Sequence, residues 1–383
     1  MDKIIRMTMP ICLCVFIGCV EVEEADPYVP EVPENPCIIE TTSTSANISP
    51  NTPIDYLKIG MEPDLSDAVK YYSYNRDLFL SGLHPYTTYY YQSVKRNPVG
   101  TELRSKIESF TTNIKLSITE ISSSYAAANN IVTLSAEIPS GSSANVLEYG
   151  FCISQTSKMP TLETSDAIVI KATGLPSSID GKYSYTFSGQ SNGSQLKKGL
   201  ISYVRSYIKT EKNISYSENN WHFFPVSGIK QNRAYVDLGL PSGTLWTAAN
   251  YSGKAYLDLP TDHFNYFEEN YYSADFGIFR MPTFADAKEL YENCTYNKVK
   301  INNTYCAQIT SKINGNAIYI PFGGYRNSVQ HSYHVGEDGG IWLNTLTNDG
   351  FWRMIWFSDE SGIGYTYYSY HGNKWNIRLV LDD

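Results

Sequence analysis

The sequence predicts a multidomain chain in which two all-β sandwiches are followed by an α+β domain. Three observations carry this. At 383 residues the chain exceeds the roughly 250 to 300 residues at which a single hydrophobic core stops growing, so several cores are expected. From Cys37 to Gly228, short β-branched and aromatic runs are separated by Ser, Asn, Pro and Gly, as antiparallel strands joined by turns require. Beyond that point a helical periodicity appears over Phe284 to Asn293, set among further strand-like runs. The formal charge is −9 and no block of Lys or Arg exceeds two in a row, so the basic footprint of a nucleic-acid binder is absent and no nucleic-acid partner is expected.

The first nineteen residues read as an export signal rather than as structure. Lys3 and Arg6 give a positive start and Met7 to Ile17 an apolar run, shorter than the roughly 20 residues a membrane span needs. Phe16-Ile17-Gly18-Cys19 then resembles a bacterial lipobox, which implies a lipid on Cys19 and removal of Cys12 and Cys14 with the signal; ordinary secretion with cleavage elsewhere is the alternative. Residues 1–18 hold Asp2, Lys3 and Arg6, a net of plus one, so the mature chain would carry −10. The acids that follow, Glu21, Glu23, Glu24 and Asp26, resemble the signal that sends lipoproteins of Bacteroidetes-type bacteria to the outer face of the outer membrane. Residues 20–36 combine such acids with a Pro every few positions, the composition of an extended, semi-rigid spacer.

The first sandwich is expected over 37–112 and the second over 113–228. Ser81-Gly82-Leu83-His84-Pro85-Tyr86-Thr87-Thr88-Tyr89-Tyr90-Tyr91 resembles the corner motif of fibronectin type III domains, and Phe110-Thr111-Thr112 their last strand; the resemblance makes Tyr89 or Tyr91 a core residue. In the second unit Val132 to Ile138 alternates with period two, and Glu148 to Ser154 resembles the central strand of fibronectin-like repeats. Tyr203 to Ile208 and Trp221 to Phe224 would close it. This unit reads as a diverged repeat of the first, departing from it at Leu196-Lys197-Lys198-Gly199, where a Pro-x-Thr is expected.

After a short connection at 226–234, the segment 232–383 carries an opening Tyr-Val-Asp-Leu-Gly-Leu-Pro-Ser-Gly-Thr-Leu-Trp from Tyr235 to Trp246, then Arg280-Met281-Pro282-Thr283, Gly323-Gly324-Tyr325-Arg326 and a closing Trp375-Asn376-Ile377-Arg378-Leu379-Val380-Leu381-Asp382. These resemble, in order, the landmarks of the Fibrobacter succinogenes major paralogous domain. That resemblance implies an α+β fold like the C-type-lectin-like and sulfatase-modifying-factor group. Thr283 with Asp286 forms an acidic capping box, and Phe284, Ala287, Leu290 and Tyr291 share one helical face. Everything after Ala317 reads as strands and turns.

The constellations that could carry chemistry are few. Cys37 and Cys152 read as small buried residues, whereas Cys294 and Cys306, separated by 11 residues, could form a disulfide in an oxidising compartment. No C-x-x-C pair marks zinc or redox chemistry. Gly189-Gln190-Ser191-Asn192-Gly193 matches the G-x-S-x-G elbow only formally, in a Ser/Gly/Asn-rich loop without its strand-to-helix context. His331 and His334 with Glu337 and Asp338 offer metal-ligating side chains, but three nearby glycines favour a solvated loop. The lectin-type calcium motifs E-P-N, Q-P-D and W-N-D are missing from the C-terminal domain, so neither metal nor cofactor is expected.

What remains is aromatic. Trp342, Trp352, Tyr365, Tyr367, Tyr368, Tyr370 and Trp375 fall within 34 residues, and such flat apolar faces with polar tips stack on sugar rings. Strand alternation puts Tyr365 and Tyr367 on one face and Tyr368 and Tyr370 on the other, one pair buried and the other exposed. The expectation is a lipid-anchored surface protein that binds or adheres, taking a glycan or a cell-surface protein as ligand and the outer membrane as anchor. A structural or protein-interaction component of the surface and a sugar or peptide hydrolase are the alternatives; the lack of a complete catalytic motif disfavours the enzyme.

Overall fold

The structure is a computed structural model that describes residues 31–72, 77–124, 131–138, 146–173, 182–188, 196–251, 275–301, 303–327, 329, 331–358, 362–369 and 372–382. Cys19, the Gly189–Gly193 motif and Tyr370 lie outside the described residues. Two compact units divide the chain: Met1–Ile39, Ile48–Leu78 and Tyr89–Ser109 belong to the first, and Glu40–Asn47, Phe79–Thr88 and Phe110–Asp383 to the second. Among the described residues, no helix is long and apolar enough to cross a membrane.

The described chain is almost all β. Cys37–Thr41, Ser45–Ser49 and Leu78–Ser81 form one sheet in that order; Val69–Tyr72, Tyr56–Gly60, Thr88–Arg96 and Glu102–Arg104 form another, with Glu108–Thr111 also paired to Thr88–Arg96. The next strands repeat this order, with Lys182–Ser188, Ile131–Glu137 and Ser117–Ser124 in one sheet. The companion sheet runs Ile168–Thr173, Val146–Ser154, Ser202–Thr210 and Ile214–Tyr216, with Trp221–Phe223 also on Ser202–Thr210. Both times the first, second and fifth strands share a sheet, and the fourth, third, sixth and seventh share the other, which is the strand order of a fibronectin type III sandwich. The reason lies in the period-two pattern. Val132, Leu134 and Ala136 meet Phe151, Ile153 and Val204 in one apolar cluster, while the intervening side chains point away from it.

Tyr89 and Tyr91 are buried, as the corner motif implies, and Cys152 is fully buried. Cys37 is not the buried residue expected from sequence. It is exposed, and its Sγ lies 3.2 Å from Asn51 Oδ1.

In the remaining part of the second unit, Gly228–Lys230, Arg233–Val236, Leu245–Thr247 and Val380–Leu381 make a four-stranded sheet. The connection expected at 226–234 is therefore a hairpin, with Ile229 paired to Ala234. Leu245 pairs with Leu381 and Trp246 with Val380, so the opening and closing landmark sequences are neighbours. A second sheet is built from Cys294–Ile301, Thr304–Ser311 and Ala317–Pro321, and a third from Asp338–Leu346, Trp352–Ser358 and Gly362–Tyr368. The third sheet separates two cores by strand alternation. Ile341, Leu343, Ile355 and Phe357 join the cluster that receives Ala287 and Leu290 of the helix, and Trp342 and Met354 join a cluster with Phe279, Met281, Trp375 and Ile377.

The helix runs over Phe284–Asn293 with the expected capping box at Thr283 and Asp286. Asp286 Oδ2 accepts from Thr283 N at 2.7 Å and from Arg280 Nη1 at 2.6 Å, while Arg280 Nη2 reaches Asp382 Oδ1 at 2.6 Å. Burial alone would raise the Asp286 pKa, but the hydrogen bonds from Arg280 and Thr283 outweigh it and hold the carboxyl below its ordinary value.

The departure at Leu196-Lys197-Lys198-Gly199 has a structural reason. This corner lies against the strand Ala317–Pro321: Ala317 N donates to Lys198 O at 2.8 Å, and Lys198 N donates to Asn316 Oδ1 at 2.8 Å. Gly199 has φ +78°, and a Cβ there would collide with the carbonyl oxygen of Ala317. Only glycine satisfies both the backbone and the approach. Phe224, Ile301, Cys306 and Tyr319, with Leu200 and Ile201 against them, form an apolar seam along this contact.

Candidate functional site

The site is built on the strand Trp352–Ser358, central in the third sheet. Trp356 pairs with Gly340 on one side and with Gly364 on the other. Neither neighbour has a side chain, so other rings fill the space: a Cβ at Gly340 would strike the ring of Trp375, and one at Gly364 would strike the ring of Tyr367. The result is a continuous aromatic array. Tyr367 and Trp356 have ring centroids 6.0 Å apart, Trp356 and Trp375 5.3 Å, and Trp375 and Tyr325 4.9 Å. Tyr325 is then stacked with Tyr333 at 5.3 Å and with His334 at 6.0 Å, both at an interplanar angle of 20°.

The array is anchored in its middle and open at its ends. Trp375 is 2 % exposed and its Nε1–H donates to Ser369 Oγ at 2.8 Å, which satisfies the one polar atom of the ring. Trp356 and Tyr325 are half-buried. Tyr367 is 43 % and Tyr333 40 % exposed, so each leaves part of its ring available to a ligand. Beside Tyr333, the His334 ring nitrogen Nδ1 lies 3.1 Å from Glu337 Oε2 and 3.4 Å from Asp338 Oδ2. No group of three His, Cys, Asp or Glu side chains that could hold a metal occurs among the described residues.

The other aromatics expected at the site are placed differently. Trp342 is fully buried, a core residue and no ligand contact. Trp352 is half-buried against the same cluster. Tyr365 and Tyr367 do not share a face as alternation predicts, because the register slips between Met354 and Trp356: Met354 pairs with Tyr367 but Trp356 with Gly364. The extra residue in Gly362–Tyr368 reverses the parity. Tyr365 turns to the helix, 5.3 Å from Phe284 and 5.1 Å from Tyr291. Tyr368, 51 % exposed, pairs with Arg353, whose guanidinium lies 4.5 Å from the Phe284 ring centroid. Tyr367 and Tyr368 are thus both exposed, on opposite faces.

Sequence reasoning missed Tyr325 and Tyr333 as members of the site. Tyr325 and Tyr333 are register partners in a two-stranded hairpin, and the Gly323-Gly324-Tyr325-Arg326 turn was the available signal. The disulfide that the sequence left possible between Cys294 and Cys306 is not formed. On paired strands Cys294 faces Ser311 and Cys306 faces Val299, five positions apart, and both thiols are free. Burial pushes each of them up to about 12.

No protein-family model and no curated protein matches the chain. Among solved structures, a two-domain fibronectin type III segment of chicken tenascin aligns at 16% identity and a TM-score of 0.23, over 51% of this chain and 99% of that one. The first three fibronectin domains of chicken CNTN1 align at 10% identity and a TM-score of 0.20, over 92% and 99%. Chitinase ChiA74 from Bacillus thuringiensis aligns at 14% identity and a TM-score of 0.18; the matched part spans 44% of this chain and 28% of the chitinase.

Proposed function

We propose that this chain is a lipid-anchored binding or adhesion protein of the bacterial cell surface, with the aromatic array of its C-terminal part as a calcium-independent glycan platform. The single observation behind this reading is the array itself: partly exposed rings at both ends of a line held rigid by buried Trp375. Packed in this way, the rings fix Tyr367 and Tyr333 at the two ends with part of each ring open to solvent, and such amphipathic rings held rigid suit stacking on a sugar. The lectin-like resemblance of 232–383 supports the same reading, and the fibronectin-like sandwiches would serve as a stalk. The absence of a complete catalytic motif in the sequence supports a binder over a hydrolase.

A glycan array probed with the full chain, with and without a chelator, tests the platform. Binding should survive chelation, weaken about threefold to tenfold on Tyr367→Ala or Tyr333→Ala, and stay unchanged on Tyr368→Ala, which lies on the opposite face. Loss on Tyr368→Ala alone would move the glycan site to the opposite face of the sheet and overturn the array as its platform; capture of a cell-surface protein with no glycan bound would replace this reading with a protein-interaction role. The anchor has its own test. Cells fed a palmitate analogue should label the protein, and Cys19→Ala should abolish the label.

A further inference from the structure

The closing segment divides its side chains between two cores. Trp375, Ile377, Leu379 and Leu381 enter the cluster around Trp342, whereas Val380 enters the cluster that holds Trp246. Alternation along an extended chain therefore turns Asn376 and Arg378 the same way as Val380, and Trp246, the register partner of Val380, shares that face. Arg378 and Trp246 are diagonal neighbours across this pairing, a spacing that long and aromatic side chains bridge. All three are fully buried. An otherwise apolar core thus receives a guanidinium, a carboxamide and an indole N–H on one face, opposite to the face that carries Trp375 of the aromatic array.

The hydrogen bonds of these groups are incomplete. Arg378 Nη1 donates to the carbonyl oxygen of Thr247 at 2.9 Å and Nη2 to that of Tyr319, which fixes the guanidinium between the first and second sheets of this part. Arg378 Nε, both ends of the Asn376 carboxamide and Trp246 Nε1 have no hydrogen-bond partner among the described residues. Each such group gives up its hydration for nothing in return, a rare state in a folded core. The charge is the larger matter. Among the described residues no carboxylate offsets that of Arg378. Cys306, close enough to act on Arg378 electrostatically, is no counter-ion at neutral pH, because burial pushes its thiol up to about 12. Burial also draws Arg378 down, to about 9, which still leaves it cationic at neutral pH.

We infer that a small inorganic anion of the halide class, chloride under ordinary conditions, is bound inside this core against Arg378 and flanked by Asn376 and Trp246. Arg378 Nε, Asn376 Nδ2 and Trp246 Nε1 bring N–H donors to the site, against a single spare acceptor at Asn376 Oδ1. A water molecule must place two protons of its own, so an excess of donors beside a positive charge selects an anion over water. A compact monovalent ion also sheds its hydration at less cost than a divalent oxyanion. Bound there, the ion completes the link that Arg378 makes between the strand Leu245–Thr247, the closing segment and the strand Ala317–Pro321. Its occupation bears on folding rather than on glycan binding.

The full chain is unfolded by urea in sodium chloride and in sodium gluconate at equal ionic strength, gluconate being too bulky for a packed core. Tryptophan fluorescence follows the relevant part, since Trp246, Trp342, Trp352, Trp356 and Trp375 all lie in it. Each tenfold rise in chloride above its dissociation constant should raise the folding equilibrium constant about tenfold, with no such rise in gluconate. Arg378→Met should abolish this dependence. Asn376→Leu, which spares the bonds to Thr247 and Tyr319, should weaken it and keeps the test open if Arg378→Met does not fold. Crystals of the unaltered chain grown in bromide should show an anomalous peak in contact with Arg378 Nε. Equal folding constants in chloride and gluconate, a chloride dependence that the variants keep, or water alone beside Arg378 would overturn the inference. A bromide peak without linkage to folding would mark binding at crystal concentration only and would overturn it equally.

Discussion

Trp356 is flanked by Gly340 and Gly364, and the rings of Trp375 and Tyr367 occupy the space those glycines leave. A methyl group at Gly340 must displace Trp375, which is fully packed and hydrogen-bonded to Ser369, or Met354 beside it. Gly340→Ala should therefore lower stability by about 1–3 kcal/mol, visible as a fall in melting temperature with a change in near-UV circular dichroism. An unchanged near-UV spectrum would contradict the packing described. At this scale the sequence is legible for composition and illegible for direction. The density of aromatic residues between Trp342 and Trp375 marks the region, but one extra residue near Tyr365 reverses which faces the tyrosines take, and no local pattern announces a bulge. The cysteine pairing fails for a similar reason, because Cys294 and Cys306 are near in sequence yet fall at different register positions of one hairpin.

The helix shows the opposite case. Its start and its cap follow from neighbouring residues, and Phe284–Asn293 forms where the periodicity places it; of the expected stripe Ala287 and Leu290 are buried, Phe284 is half-buried and Tyr291 is 44 % exposed. What the sequence does not reveal is that Arg280 ties this cap to the far end of the chain, through Asp286 and Asp382 and through paired backbone bonds with Val380 at 2.9 Å. Asp286 is buried, while Arg280 is 34 % exposed and keeps its pair with Asp382, so Asp286→Asn, which removes one of the two charges facing Arg280, should cost about 1–2 kcal/mol near neutral pH. Its folded pKa is depressed, so this stabilisation is fully present above the unfolded value of about 3.9 and is lost as pH falls through the lower folded value. Denaturation curves of the two proteins should accordingly differ at pH 7 and converge in strong acid. A difference that persists undiminished at pH 2 would assign the effect to geometry rather than charge.

At the scale of the molecule, the two β-sandwich units were legible because period-two runs and turn residues are local signals, whereas the order of strands within each sheet depends on long-range pairing and was not. The junction at Gly199 was visible only as a departure from pattern, since its partner Ala317 lies more than a hundred residues away. That junction changes where an independent fragment can begin. Starting at Gln231 would remove the edge strand Gly228–Lys230 and Val226, which belongs to the main apolar cluster, and would strip Phe224, Leu200 and Ile201 from the seam around Tyr319. A fragment from residue 231 should melt lower and bind more hydrophobic dye than one from residue 113, compared by calorimetry and dye fluorescence; equal melting would show that the seam contributes nothing.

The pairing of Leu245 and Trp246 with Leu381 and Val380 also bears on the order of events during synthesis. A chain growing at roughly 5 to 20 residues per second exposes the first of these strands several seconds before its partner exists. During that interval the strand Leu245–Thr247 has a bare edge beside Arg233–Val236 and an apolar surface to match. Contacts so distant in sequence form late and slowly, which makes this the stretch where a holding chaperone would have most to protect, and where a truncated product would most readily add to a neighbour's sheet.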